Sequence, residues 1–384
     1  MKVAILTLFG SRDNYGQVLQ SYALCFVLKK MGHEPYIVRY FPAERNSLKG
    51  RILYLLKEIY GKCKILAKAG VQYDNYLLDK KNKLRQFDRF RELYLPTSNK
   101  IYHSLSQLRD CPPDADCYIT GSDQVWGQLL NNENNKAYFL DFGSNAIKRI
   151  SYAASFARDT YPEELKGELK NQLLKFNNIS VREPEGVDIC KNIGLPDAEL
   201  VLDPTLLLSK DDYGDLTSIK DIKQQERSIF IYCVNILNED DIRWREIKDY
   251  AEYEKLAVFV TSASGYNPGY EVIQGAHYVY PTINMWLSCI KNSELFITTS
   301  FHGVAFSIVY NKAFIYIPLQ GVHQQGNKRV QRLLERLNLC DRILSEDASV
   351  ASIAGKTVDW EAVNDRMGLL KSESINYLHK SLEQ

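Results

Sequence analysis

The stretch LFITTSFHGVAFSIVY sets one histidine where a protein backbone is best suited to hold an anion. A buried strand over Leu295 to Thr299 runs through Ser300-Phe301-His302-Gly303 into an apolar helix. Ser300 is placed to cap that helix, and His302 falls in its first turn. Unpaired N–H groups and the positive end of the helix dipole favour negative charge there. An imidazole is neutral near pH 7 unless a partner raises its pKa, and a bound phosphate is such a partner. The plain alternative is a packed, structural histidine, and spacing alone leaves both readings open. Downstream, Lys328 and Arg329 put two cations at the start of another helix. Taken alone they are a solvated face.

Three more loops follow strand-like runs. In YITGSDQVW, Ser122 and Asp123 set a hydroxyl and a carboxylate at a strand end, with Trp126 nearby to stack on a sugar face. A carboxylate so placed can take a proton from a sugar hydroxyl, but an Asp cap beside a packing Trp fits equally well. In ISVREPEG, Arg182 ends a strand and Pro184 opens a helix. Its guanidinium suits a carboxylate or phosphate, or a plain ion pair with Glu183 or Glu185. The loop Gly10 to Gln17 lacks the spacing of a dinucleotide site. It still brings Asn14, Tyr15 and Gln17 to a helix start, where an ordinary capped turn is the competing reading.

The elements that must position these loops alternate short apolar runs with amphipathic stretches, the pattern of an α/β protein on parallel sheets. Val3 to Phe9 reads as a strand. YGQVLQSYALCFVLKKMG reads as a helix, with Val18, Leu19, Tyr22, Cys25, Phe26 and Leu28 on its apolar face and Gly32 at its end. Tyr36 to Tyr40 completes a βαβ unit. The rhythm returns with CYIT, AYFLDF, RISYAASF and NISVRE, and a second series runs from SIFIYCV through KLAVFVTS, HYVY, LFITTS and AFIYIP. We expect a first domain over 1–208 carrying a helical insertion at 45–95, a second over 209–357, and a helical tail at 358–384. Two doubly wound domains facing across a cleft are the simplest architecture, with ligands at the strand C-termini.

Composition narrows the function classes. The chain has 384 residues, 45% hydrophobic and 25% charged, with formal net charge +1. No global field draws it to nucleic acid. The eight cysteines are scattered without a CxxC pair, which gives no zinc or redox motif and suits a reducing, cytoplasmic compartment. The N-terminal apolar run is too short for a signal peptide, and no run reaches the length of a spanning helix.

Taken in order, NYGQVLQSYAL, YITGSDQVW, SVREPEG, LDPTLLL and ITTSFHGVAFSIVYNKAF resemble the polysaccharide pyruvyl transferase family, over roughly Met1 to Leu339. The resemblance implies two Rossmann-like domains arranged like a GT-B glycosyltransferase, the first on the acceptor side and the second on the donor side. It implies phosphoenolpyruvate as donor and a pyruvate ketal on a sugar as product; no metal cluster is visible in the sequence, and no cofactor is expected. The donor-site histidine falls on His302, the arginine on Arg182, and the downstream basic residue on Lys328 or Arg329. Asp123 matches an acidic position. Ser300 stands where some members carry arginine, which shifts phosphate binding toward Lys328 and Arg329. Asn14, Tyr15, Gln17, Ser122 and Trp126 are the expected acceptor contacts.

The acceptor is expected to be a glycan or a lipid-linked oligosaccharide. Between Lys49 and Lys68, six Lys/Arg against one Glu alternate with leucines and isoleucines. Such a stretch can lie on the inner face of an anionic membrane, or pack as a helical hairpin on the domain. Two rivals keep the same architecture: a nucleotide-sugar glycosyltransferase, and a carbohydrate-binding protein without turnover.

Overall fold

The computed structural model describes residues 1–9, 14–42, 84–127, 129–217, 227–263 and 272–383. The first half contains β1 (Lys2–Leu6), β2 (Glu34–Tyr40), β3 (Thr97–Tyr102), β4 (Cys117–Thr120), β5 (Lys148–Ser151), β6 (Ser180–Val181) and β7 (Glu199–Leu200). The second contains β8 (Ser228–Cys233), β9 (Ala257–Ser262), β10 (His277–Tyr278), β11 (Leu295–Thr298) and β12 (Phe314–Tyr316). The main sheets run β3-β2-β1-β4-β5 and β10-β9-β8-β11-β12, all parallel, so the two halves repeat one strand order. Bridges Ile150–Asn178 and Ala154–Val181 set β6 and β7 alongside β5. The chain is α/β, two Rossmann-like doubly wound domains facing across a cleft in a GT-B-like arrangement.

The helices that position the site are α1 (Tyr15–Lys30), α2 (Phe87–Tyr94), α3 (Pro184–Asn192), α4 (Ile283–Asn292), α5 (Phe301–Val309), α6 (Asn327–Leu337) and α7 (Trp360–Glu383). They cover the sheets, which is why β4, β8 and β11 are buried at every position and read as apolar runs without alternation. In each half the strand order reverses beside the central strand, between β1 and β4 and between β8 and β11. Such switch points leave a crevice at the strand C-termini.

Between the sheets lies one continuous core that joins Val3 and Ile5 of the first to Phe230 and Phe296 of the second. Tyr15 is its seam. The ring stacks on Trp286 at 4.9 Å, meets Tyr232 edge-on, and its hydroxyl donates to Pro281 O at 2.6 Å. Helix α7 buries Val363, Met367, Tyr377 and Leu378 along one stripe. It returns to the first half, where Tyr377 donates to Ser151 O and Ser374 Oγ accepts from Leu202 N.

Two expected strands differ. Pairing of β1 stops at Leu6, and Thr7 instead donates its hydroxyl to Ser122 O at 2.7 Å. The apolar run AYFLDF does not form a strand. Asn132 caps a short 3-10 helix over Glu133–Phe139, and Leu140 closes it in the left-handed region. Of the expected insertion, residues 45–83 lie outside the described residues, as does the basic stretch 49–68. Among the described residues, no helix is long and apolar enough to cross a membrane.

Candidate active site

Helix α1 begins beyond β1 and helix α5 just beyond β11, and their first turns meet. The contact depends on glycine at two positions. A Cβ on Gly16 would lie 2.0 Å from His302 Cγ, and one on Gly303 would lie 2.3 Å from Thr298 Oγ1. Gly303 thus lets α5 start hard against β11, and Gly16 lets the His302 ring sit on α1. Ser300 caps α5, its Oγ accepting from Gly303 N at 3.5 Å. That hydroxyl is engaged in the cap.

The turn after Leu202 fills the remaining angle. Asp203 caps the short turn Pro204–Leu206, its Oδ1 accepting from Thr205 N at 3.0 Å and Thr205 Oγ1 at 2.7 Å. Its Oδ2 accepts from Ser122 Oγ at 2.8 Å and Arg182 Nη1 at 2.9 Å. The carboxylate is wholly buried, and His302 Nε2 stands 3.8 Å from Oδ2. Burial alone would raise this carboxyl; His302, Arg182 and the Thr205 donors outweigh it and hold it at about 2.

Arg182 directly follows β6 with its side chain only 2% exposed, donating from Nε to Glu183 Oε1 at 2.9 Å and lying 4.9 Å over the Phe301 ring. Burial works against its charge, but Glu183, Asp203 and Asp123 raise its pKa above the ordinary arginine value. The sequence reading had set an ion pair with Glu183 against ligand binding. The structure has that pair, buried rather than at the surface, and still leaves Nη2 over. Arg182 Nη2, His302 Nε2 and Gln17 Oε1 are buried polar atoms without a hydrogen-bond partner among the described residues. Groups left so are costly unless something fills them. Burial also lowers the His302 pKa, with Arg182 and Arg329 lowering it further against Asp203 and Asp123. The ring is therefore neutral near pH 7.

Asp123 follows β4 with φ 85, a left-handed conformation rare for a residue with a Cβ. Ser155 N and Val125 N both donate to its carbonyl, and its own Oδ1 accepts from Gln124 N. Its Oδ2 accepts from Gln17 Nε2 at 3.0 Å, which links the first turn of α1 to the β4 loop. Arg329, in the first turn of α6, faces this loop. With its carboxamide oxygen turned toward Arg329, Gln124 accepts from Nη1 and Nη2 at 3.0 and 3.1 Å. Burial and the like charge of Arg182 pull the Arg329 pKa below its ordinary value.

The structure therefore brings Gln17, Ser122, Asp123, Arg182, His302 and Arg329 together. Lys328 stands apart at the cleft rim, paired with Asp159 at 2.6 Å. Asn14 caps α1 by accepting from Gln17 N, and Gly10 to Asp13 lie outside the described residues. Two expected acceptor contacts need correction. Trp126 is fully buried, stacked on Phe139 and donating to Tyr138 O, so it has no face to offer a sugar. Tyr15 is likewise buried in the seam between the halves. Sequence reasoning passed over Asp203, the hub of the site. An acidic residue between the apolar runs of LVLDPTLLL was the available signal.

A roomier cavity, about 450 Å³, opens near the start of β5 beside Arg109, Asp141 and Lys175. There Asp141 pairs with both cations, and Arg149 is bound to backbone carbonyls. Its charged side chains are already engaged, whereas the cleft keeps buried polar atoms without a partner among the described residues. Among the described residues, no group of three or more His, Cys, Asp and Glu converges as metal ligands would.

Among solved structures, the chain is similar to an S. aureus MnaA–UDP co-structure, at 11% identity and TM-score 0.50 over 100% of this chain and 97% of that one. It is also similar to a UDP-N-acetylglucosamine 2-epimerase from Rickettsia bellii, at 8% identity and TM-score 0.49 over 99% and 96%. At such identity the first likeness speaks for the fold alone. No curated protein matches the sequence. A sequence model of polysaccharide pyruvyl transferases matches residues 14–320, a span that includes Arg182, Asp203 and His302 and ends before Arg329. Matched across most of its length and through both halves of the cleft, the chain belongs to the polysaccharide pyruvyl transferase family.

Proposed function

We propose that the chain transfers the enolpyruvyl group of phosphoenolpyruvate to a sugar hydroxyl of a surface polysaccharide or its lipid-linked precursor, forming a pyruvate ketal. The family match carries this reading, and the cleft geometry suggests who does what. A proton adds to the donor's methylene carbon, and positive charge develops at the neighbouring carbon. A sugar oxygen bonds there, the carbon–oxygen bond to phosphate breaks with its electron pair on phosphate, and a second hydroxyl closes the ring. One hydroxyl proton replaces the proton consumed, and the other leaves with phosphate.

His302 is the candidate acid, or the group that grips the departing phosphate. Burial keeps it neutral near pH 7, but an anion between its Nε2 and Arg182 Nη2 would raise its pKa. The donor thus charges its own acid. Arg182 and Arg329 hold carboxylate and phosphate, and Asp123 takes the acceptor proton. Ser300 serves this through the α5 cap. The reaction as written needs neither metal nor cofactor, so activity should survive chelation. We place it in the cytoplasm, with any membrane contact through 49–68.

The test is to incubate the protein with phosphoenolpyruvate and a glycan panel, following phosphate release and product mass. Glycan-dependent phosphate release with a ketal-sized mass gain is the expected result. Tight binding of a nucleoside diphosphate without that release would overturn the reading in favour of a nucleotide-sugar transferase. Binding of glycan with no turnover at all would favour a carbohydrate-binding protein.

A further inference from the structure

Beside the Arg182–Asp203–His302 centre, a cavity of about 100 Å³ opens between the halves. Glu183 and Arg329 line it and the centre alike. The first half lines it with Asp159, Glu183, Glu185 and Arg158, and the second with Lys328 and Arg329. Three carboxylates thus face three cations. An anion entering this space meets the carboxylates, and a cation meets the guanidiniums and the ammonium. A neutral ligand rich in hydroxyls suits both, because carboxylates accept from hydroxyls while the cations donate to ring and hydroxyl oxygens.

Two ion pairs cross the cleft at this cavity, Lys328–Asp159 at 2.6 Å and Arg332–Glu185 at 3.4 Å. Lys328, Asp159 and Arg332 are about half-exposed. Pairs of that kind contribute little to stability, so hydroxyls can replace them at Asp159 and Glu185. The loop supplying Arg158 and Asp159 is held open by local bonds. Ala157 adopts φ 52 with its N–H on Ser155 Oγ, and Arg158 Nη2 donates to Gly127 O at 2.7 Å.

We propose that this cavity is the acceptor subsite and takes a neutral pyranose residue, with Asp159 and Glu185 accepting its hydroxyls. The inference rests on the transferase reading, and it moves the acceptor away from Trp126 and Tyr15. A sugar held here lies next to Arg329 and so beside the group to be transferred.

Saturation-transfer NMR on the full chain, without phosphoenolpyruvate, tests this with methyl glycosides of glucose, galactose, mannose and N-acetylglucosamine. At least one should bind, and the Asp159→Asn/Glu185→Gln variant should weaken it roughly tenfold, as expected for losing charge-assisted hydrogen bonds. Binding of phosphoenolpyruvate, followed by phosphorus NMR, should be unchanged in that variant. If the double variant loses its circular dichroism, Asp159→Asn alone serves. A glycoside bound equally well by variant and wild type, or a panel in which none binds, overturns the subsite. Failure of phosphate release in the wild type strikes the transferase reading instead, and leaves the saccharide result to stand by itself.

Discussion

Of the ion pairs at the cleft, one at the centre and one at the rim have geometries that mislead about their weight. At the centre, Arg182–Asp203 spans 2.9 Å with side chains 2% and 0% exposed. At the rim, Lys328–Asp159 is shorter, 2.6 Å, with side chains 49% and 46% exposed. Distance would rank the rim pair first. Solvent reverses the order: exposed pairs are screened and gain little, whereas removing one partner of a buried pair strands a charge. The centre is built from interactions that cannot be lost singly, and the rim from interactions that can. On the proposed function, that division suits a cleft that opens to a glycan yet keeps the groups at its centre fixed.

The sharpest way to break the comparison is at the centre's chemistry. His302→Ala should lower turnover by about 10²–10⁴-fold, the usual loss for a well-placed general acid. Its folding stability should change far less. Steady-state phosphate release on the purified variant checks it. Turnover near wild type would sink the assignment of His302, and with it the claim that the centre is where chemistry happens.

Next in size is the buried pair itself. Asp203→Ala leaves Arg182 with Glu183 as its ion-pair partner and should cost about 3–5 kcal/mol in a denaturation experiment. The pH dependence has a definite sign. Asp203 is held at about 2, below its unfolded value of about 3.9. Its contribution is complete above pH ~4 and is lost as pH falls toward 2. His302 is lowered as well, so the unfolded chain takes up a proton below about pH 6.5 that the folded chain refuses, and stability declines from there downward. Asp203→Ala should lack the lower limb and His302→Ala the upper one. Identical acid profiles for all three proteins would contradict this picture of the centre.

What the sequence made legible follows the reach of each interaction. Ser300 as a cap and His302 in the first turn of α5 are matters of three residues, and both were readable from SFHG. The strands of the second sheet, and β1, β2, β4 and β5 of the first, were readable because covered parallel strands carry apolar runs, whereas β3, polar and largely open to solvent, was not. Asp203 was not, since its Ser122 and Arg182 partners lie 81 and 21 residues away. The need for Gly16 was equally hidden, because the ring it admits belongs to the other half. Trp126 shows the opposite failure. Its place after a strand suggested a sugar platform, but Phe139, Phe156 and Phe176 surround it, and packing took precedence over position.

The smallest expected effect sharpens the rim. Lys328→Ala should change stability by at most about 1 kcal/mol, and a double-mutant cycle with Asp159→Ala should give a coupling of about 0.2–1 kcal/mol. That coupling should shrink as salt rises, because half-exposed charges are screened over a Debye length of about 8 Å at physiological ionic strength. The same cycle run on Arg182 and Asp203 should be nearly indifferent to salt. A rim coupling as large and as salt-resistant as the central one would mean that the cleft is closed in solution. Lys328 would then belong with Arg329 among the groups that hold the donor, rather than among those that part to admit the acceptor.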